Sequence, residues 1–574
     1  MNKKAFAGLF LLIIVGGASF RLVDLGVRPM HHDEANQAVK FGVLLEKGEY
    51  RYDRADHHGP SLYYLSLPFA RALGERTLAE LDERTLRLVP AVFGLGTVVL
   101  LLLFVPLMGR ERALWGALGL AVSPVMVYFS RFYIQETLLF FFLTGFSAAV
   151  WQYRKKPSYG WAIAAGFFAG MMYSTKETSV IAFGAIAAAF LLTRLTTGTE
   201  KRGYGAPRKQ DRPERTRESG NPDAQKSQEN SNQEPGPEKG SAYKPQIPGG
   251  RQRTALRWAH LALGVGTAAF IAVLFFTSFF QNPRGFIDSI LSFKVYFAKA
   301  GDAGFHVYPW SYYLKMLSFS KTGSGPVWSE ALILILAVAG IIAAFRLRPE
   351  RPSSKLWRPN EGDRSFLIFV SFYAVISTAA FSLIPYKTPW NVLPFYFGFI
   401  LLAGNGAMAL LRAFKSRTGR AAVLVLLAAG FAHLGAQARR AALVYPADPR
   451  NPYVYAQTGP GFMKLVRKVE DLAAVHPDRD KMFIQVVAGP YETWPLPWYL
   501  RRFERVGYWT DAAGAPSPGP AAVLITDAEQ AGRLESLINI SYQSEYYELR
   551  PNVFLVLHVH NDLWEAYLKS RGQR

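Results

Sequence analysis

The 574-residue chain contains no cysteine. That absence excludes disulfides and thiolate chemistry. No close pair of histidines or acids repeats at a known metal-ligand spacing. Acids are outnumbered, with 43 Asp and Glu against 65 Lys and Arg, for a net charge of +22. In a soluble protein such an excess raises the question of nucleic acid. Here the basic residues sit mostly in short loops between apolar runs, as cytoplasmic loops do beside anionic lipid, so no nucleic-acid partner is expected. Ionisable residues are also scarce inside those runs, which argues against a polar path between two membrane faces.

What is present is apolar. Half the residues are hydrophobic and 14% are aromatic. Runs of about 20 residues, long enough for a hydrocarbon core of ~30 Å, recur along the chain. They predict spans at 5–20, 86–108, 113–129, 137–153, 161–175, 178–193, 258–279, 329–345, 365–384, 391–411 and 420–437. The basic start Met1-Asn2-Lys3-Lys4 and the first run also resemble a signal peptide. The acidic cluster that follows at once needs anchoring, which favours an uncleaved first helix.

With the N-terminus inside, the inner loops hold Arg110 and Arg112, Arg154-Lys155-Lys156, Arg346, Arg348 and Arg351, then Arg412, Lys415, Arg417 and Arg420. The short outer loops hold mainly Arg131, Lys176 and Lys387, in accord with the positive-inside rule. The expectation is a multi-pass protein of the cell membrane, in contact with membrane lipid, with loops 21–85 and 280–328 and the tail beyond 440 on the outer face. The fold class is therefore an all-α polytopic membrane protein of about 11 helices, with a small extracytoplasmic α/β domain at its C-terminus. Its parts are 1–196 and 255–439, both transmembrane, an insert at 197–254, and the domain 440–574.

The insert has almost no large apolar residues and cannot offset its ordering entropy by burial. It reads as a disordered cytoplasmic linker, and a regulatory role is the less favoured alternative. In the tail, Met482–Val487, Val523–Thr526 and Val553–Val559 read as strands, and Gly461–Val475 and Ala528–Ile538 as amphipathic helices. The aromatic stretch Trp494–Leu500 suits docking on the membrane face, an acceptor groove or ordinary packing.

The chemistry-bearing run is Met30-His31-His32-Asp33-Glu34-Ala35 in the first outer loop, followed by Asp56-His57-His58-Gly59-Pro60-Ser61-Leu62-Tyr63-Tyr64. Adjacent positions on a helix do not face the same way. One of Asp33 and Glu34 can then meet a reacting centre while the other caps, pairs or binds metal. The plain alternative is a helix N-terminus carrying acids because the macrodipole favours them.

Three other outer turns add to this: Ser130–Glu136, Tyr173–Glu177 and Ile384–Asn391. Each carries one cation, Arg131, Lys176 or Lys387, and the first two also carry a carboxylate, Glu136 or Glu177. A lone cation at a helix end usually snorkels. Several on one face beside tyrosines fit an anionic headgroup, which Arg and Lys recognise. Tyr386, Tyr63 and Tyr64 join them as candidate substrate contacts. In loop 280–328, Asp302 and His306, with His57 and His58, are candidates for a divalent metal. The alternative is that these histidines only bond hydroxyls or backbone.

In this order the motifs resemble the polytopic glycosyltransferases that use polyprenyl-phosphate sugars, such as protein O-mannosyltransferases and the enzyme that adds aminoarabinose to lipid A. The resemblance covers roughly residues 5–412. Gly59–Tyr64 is similar to that family's Lys-Pro-Pro-Leu-Tyr-Tyr stretch, and Asp33-Glu34, Arg131 to Glu136, Gly170 to Lys176 and His306 to Tyr313 fall in the same order. Tyr386–Asn391 and Trp494–Leu500 look like a branch of archaea and some bacteria named for association with lipid-linked glycan flipping. Two departures stand out: the family's lysine is Gly59 here, and an aspartate that often ends the third-span motif is Glu136.

The resemblance implies a GT-C-like, inverting transferase that moves a hexosyl- or pentosyl-type sugar from a polyprenyl-phosphate donor to a lipid, glycan or protein hydroxyl. It implies Asp33, Glu34 and Glu136 as catalytic residues and Arg131, Lys176 and Lys387 as phosphate ligands. It implies His58 and His306 as positions where a metal can sit. The rivals are a non-catalytic lipid-linked glycan transporter or flippase-associated protein, and a metal-dependent membrane hydrolase.

Overall fold

The computed structural model describes residues 1–55, 58–203, 250–300, 306–346, 363–517 and 521–572. Most of the predicted insert, and with it Asp56, His57 and Asp302, lies outside the described residues. Each of the eleven predicted spans falls on a helix. Seven helices are long and apolar enough to cross a membrane by length and composition, from Lys3–Leu22 to Arg417–Val444, and Ala331–Arg346 is apolar but shorter. Among the described residues the count of candidate spans is therefore seven, against about eleven expected. Part of the reason is visible locally. The stretch 110–129 breaks at Ser123-Pro124, where Ser123 turns extended and caps the next helix. Tyr159–Tyr173 is only 15 residues long.

Four N-terminal helices frame the site: α1 (Lys3–Leu22), α2 (His32–Lys47), α3 (Ser61–Ala72) and α4 (Glu83–Leu100). A capping box starts α2: the His31 ring accepts from the Asp33 N–H, and the Glu34 carboxylate accepts from the His31 N–H. Asp82 caps α4 by accepting from the Arg84 N–H at 3.1 Å. Deeper in the bundle, Ala331–Arg346 and Leu393–Ala413 meet backbone to backbone. A Cβ on Gly406 would lie 1.8 Å from the Leu336 carbonyl oxygen, and one on Gly340 would lie 2.0 Å from that of Leu402. Close approach of small residues replaces the hydrophobic drive that lipid does not supply.

The tail forms a five-stranded sheet in the order β2-β1-β3-β5-β4. Its strands are β1 (Ile484–Val487), β2 (Val506–Trp509), β3 (Val523–Asp527), β4 (Tyr542–Arg550) and β5 (Val553–His560). The pairs β1–β2 and β1–β3 are parallel; β3–β5 and β4–β5 are antiparallel. Helix Phe462–Val475 packs on this sheet through Phe462, Leu465, Val469 and Leu472, all fully buried. The predicted helix Ala528–Ile538 is two short helices, Ala528–Arg533 and Glu535–Ser541.

The sheet domain docks on the first loop through the aromatic stretch. The Trp498 indole N–H donates to Glu83 at 2.9 Å, and the backbone N–H of Met30 donates to the Tyr499 hydroxyl at 2.9 Å. Arg501 bonds the Leu81 carbonyl at 2.7 Å with its guanidinium 3.7 Å from the centre of the Trp498 ring. Such a cation–π contact contributes about 0.5–2 kcal/mol.

Candidate functional site

The first turn of α2 divides its two acids. Glu34 is fully buried and accepts five hydrogen bonds. Arg87 of α4 supplies two at 2.8 Å, Arg28 one at 3.2 Å, and the backbone N–H groups of Tyr133 and His31 the rest. Burial opposes its ionisation, but Arg87 and Arg28 overcome that and hold the carboxyl at about 2. Asp33 turns the other way, and its side chain keeps 36% of its surface exposed.

Around Asp33 stand His31, His32, His58 and Lys176, and the positive charge these groups carry when protonated outweighs burial to hold its carboxyl below the usual range. His306 and Tyr386 also lie within electrostatic reach of it. Burial pushes all four imidazoles below their ordinary value, His58 to about 3. Burial, followed by the charge of Asp33, pushes the Tyr386 hydroxyl up to about 12. At neutral pH the result is an ionised carboxylate among neutral rings, with the Lys176–Glu136 ion pair beside it.

Lys176 and Glu136 form a buried ion pair. The second Glu136 oxygen, Oε2, is buried with no hydrogen-bond partner among the described residues. His58 Nδ1 lies 3.4 Å from Glu177. Gly59 fits against the turn after Tyr173, where a Cβ would lie 2.2 Å from the Ser174 carbonyl oxygen. No side chain fits there, so the family's lysine has no place in this chain.

The other predicted residues are distributed as follows. Arg131 closes the end of α1, bonding the carbonyls of Phe20, Arg21, Val23 and Asp24 at 2.6–3.2 Å. Lys387 bonds the carbonyls of Tyr308 and Ile384, and its N–H donates to His306 O at 2.9 Å. It thereby fastens the 384–388 turn to 306–308. The Tyr63 hydroxyl donates to Gln37, and Tyr64 packs on Phe275 and Phe279. The His306 ring bonds the Tyr455 hydroxyl and lies 5.0 Å from Tyr386. Among the described residues no three histidines or acids converge to hold a metal ion. His58 lies beside Glu177 and His306 beside Tyr455.

Sequence reasoning missed Arg28, Arg87 and Tyr455. Arg87 carried a usable signal, a cation inside a predicted span. Tyr491 was also missed; it stands 62% exposed on the sheet domain with its ring 6.3 Å from that of His32. Nothing in its sequence context marks it.

Residues 69–202 match the family model described as dolichyl-phosphate-mannose-protein mannosyltransferase. No curated protein matches the chain in sequence. Among solved structures, ArnT from Cupriavidus metallidurans in the apo state aligns over 96% of this chain and 98% of its own, at 15% identity and a TM-score of 0.57. The same protein bound to undecaprenyl phosphate aligns equally well, at a TM-score of 0.57. The oligosaccharyltransferase AglB from Archaeoglobus fulgidus, in complex with an inhibitory peptide and a dolichol-phosphate, aligns over 98% of this chain and 77% of its own, at 11% identity and a TM-score of 0.51. At these identities the shared property is the fold. The resemblance to polyprenyl-phosphate-sugar-dependent membrane glycosyltransferases therefore holds as a family match over 69–202 and as a common fold over nearly the whole chain.

Proposed function

We propose that this protein is a membrane glycosyltransferase that moves a sugar from a polyprenyl-phosphate donor to an acceptor hydroxyl on a lipid, glycan or protein. The observation that carries the reading is the split at α2: Glu34 is saturated by Arg28 and Arg87, while Asp33 remains accessible and ionised beside Lys176, His58, His306 and Tyr386. The acceptor oxygen attacks the anomeric carbon from the face opposite the phosphate. A carbon–oxygen bond forms there, the bond to the phosphate oxygen breaks, and its electrons leave with the lipid phosphate. Asp33 receives the acceptor proton, and the anomeric centre inverts.

The other residues take supporting parts. Glu34 positions Asp33 by fixing the first turn of α2. Lys176, held by Glu136, stabilises negative charge developing on the phosphate. Tyr386 contacts the sugar, Tyr63 and Tyr64 shape the wall behind it, and His58 and His306 bond its hydroxyls. Arg131 and Lys387 hold the surrounding turns in place.

The basic-loop asymmetry supports a cytoplasmic N-terminus, with the site and sheet domain outside. A tag in the insert should be inaccessible in intact cells, and external labelling of it would reverse the orientation. The direct test of the reaction is turnover of a radiolabelled polyprenyl-phosphate sugar by purified Asp33→Asn protein. Loss of a general base should cost about 10²–10⁴ in rate; near wild-type turnover would remove Asp33 as the base.

A further inference from the structure

Asp33, Lys40 and Lys47 recur at intervals of seven along α2. Seven residues make two turns less about 20°, so the three share one stripe, each step rising about 10 Å. A cavity of about 340 Å³ opens along this stripe. Lys40, Lys47 and Arg51 give it positive charge, Glu49 and Asp53 give it acceptor groups, and His58 closes one end. Val43 and Tyr50 form an apolar wall. The size lies in the range of small-ligand sites.

His58 joins the cavity to the reacting centre, since Asp33 and Lys40 both act on it. We infer that this cavity holds the sugar-phosphate end of the donor lipid, with Lys40 and Arg51 on the phosphate and the Glu49 and Asp53 carboxylates accepting from sugar hydroxyls. The geometry then runs in order along one helix stripe, with the base at Asp33, the sugar beside His58, and the phosphate two turns on at Lys40. Burial draws the Lys40 ammonium down to about 8 against the opposing charge of Asp53, and an anion in the cavity reinforces its protonated form.

This inference rests on the glycosyltransferase reading, and its test separates the two. Purified full-length protein is titrated with undecaprenyl phosphate and, as a neutral control, undecaprenol. Lys40→Met and the double variant Lys47→Gln/Arg51→Gln should each weaken undecaprenyl phosphate about tenfold or more. Binding of undecaprenol should not change. Lys47 and Arg51 are exposed, so the double variant should keep the unfolding midpoint of the parent. Millimolar inorganic phosphate should not displace the lipid; full displacement would identify a site for soluble phosphate and overturn the lipid assignment. Unchanged undecaprenyl phosphate affinity in both variants would overturn the cavity while leaving the transferase reading standing. A parent protein that binds no undecaprenyl phosphate would overturn both.

Discussion

The pocket around Glu34 and the recess around Asp33 adjoin on a single helix turn but are built on opposite principles. Glu34 meets two guanidinium groups and two backbone N–H groups, every one within 3.2 Å, and is closed to solvent. The Asp33 recess is left open: Asp33 is partly exposed, and Glu136 Oε2 is buried with no hydrogen-bond partner among the described residues. A saturated network fixes a conformation, whereas an unsaturated one is complete only with a ligand in place. The difference shows how one Asp-Glu pair can divide support from chemistry.

The largest effect should come from breaking the saturated side. Glu34→Gln or Arg87→Leu leaves a buried charge unpaired and should destabilise the protein by roughly 3–5 kcal/mol. Thermal unfolding in detergent measures this; a midpoint within a degree or two of the parent would erase the contrast. The unsaturated side should behave differently. Lys176→Met/Glu136→Gln removes both charges together, so it should stay folded. It should lose roughly 1.5–3 kcal/mol of phosphate stabilisation, seen as at least a tenfold drop in turnover.

The same division can be read on the fold as a whole. The central strands β1 and β3 are buried on both faces and show in the sequence as continuous apolar runs. The strands β2 and β4, missed in the sequence, are the two edges of the sheet. Tyr542–Arg550 mixes Gln, Ser and Glu with tyrosine because one face meets water. At the site, the Asp33-Glu34 motif was legible, as was the expectation that its members part. Which acid does which was not legible, because the answer depends on Arg87, 53 residues beyond Glu34 in the chain. The carbonyls that Arg131 and Lys387 bond were not legible either, because a cation at a helix end serves carbonyl dipoles as well as it serves an anion.

The smallest effects concern pH. Burial draws His31 and His32 below their ordinary value and holds His58 at about 3, so turnover should show no inflection from His58 near pH 6.5. A clear limb near pH 6.5 that disappears in His58→Gln would contradict this. The folded Glu34 carboxyl lies at about 2 against an ordinary 4.5. Its contribution to stability is therefore fully present above pH 4.5 and fades as pH falls through about 2. Acid unfolding of parent and Glu34→Gln should converge over that window.

The central claim is that Asp33 does the chemistry and Glu34 holds it in place. Turnover and unfolding should be measured side by side on purified Asp33→Asn and Glu34→Gln proteins. The account predicts an Asp33→Asn protein with the parent's unfolding midpoint and at least a hundredfold slower transfer, and a Glu34→Gln protein with a lowered midpoint whose residual folded fraction still turns over. An Asp33→Asn protein that transfers sugar at the parent's rate, or a Glu34→Gln protein that is stable but inactive, would contradict it.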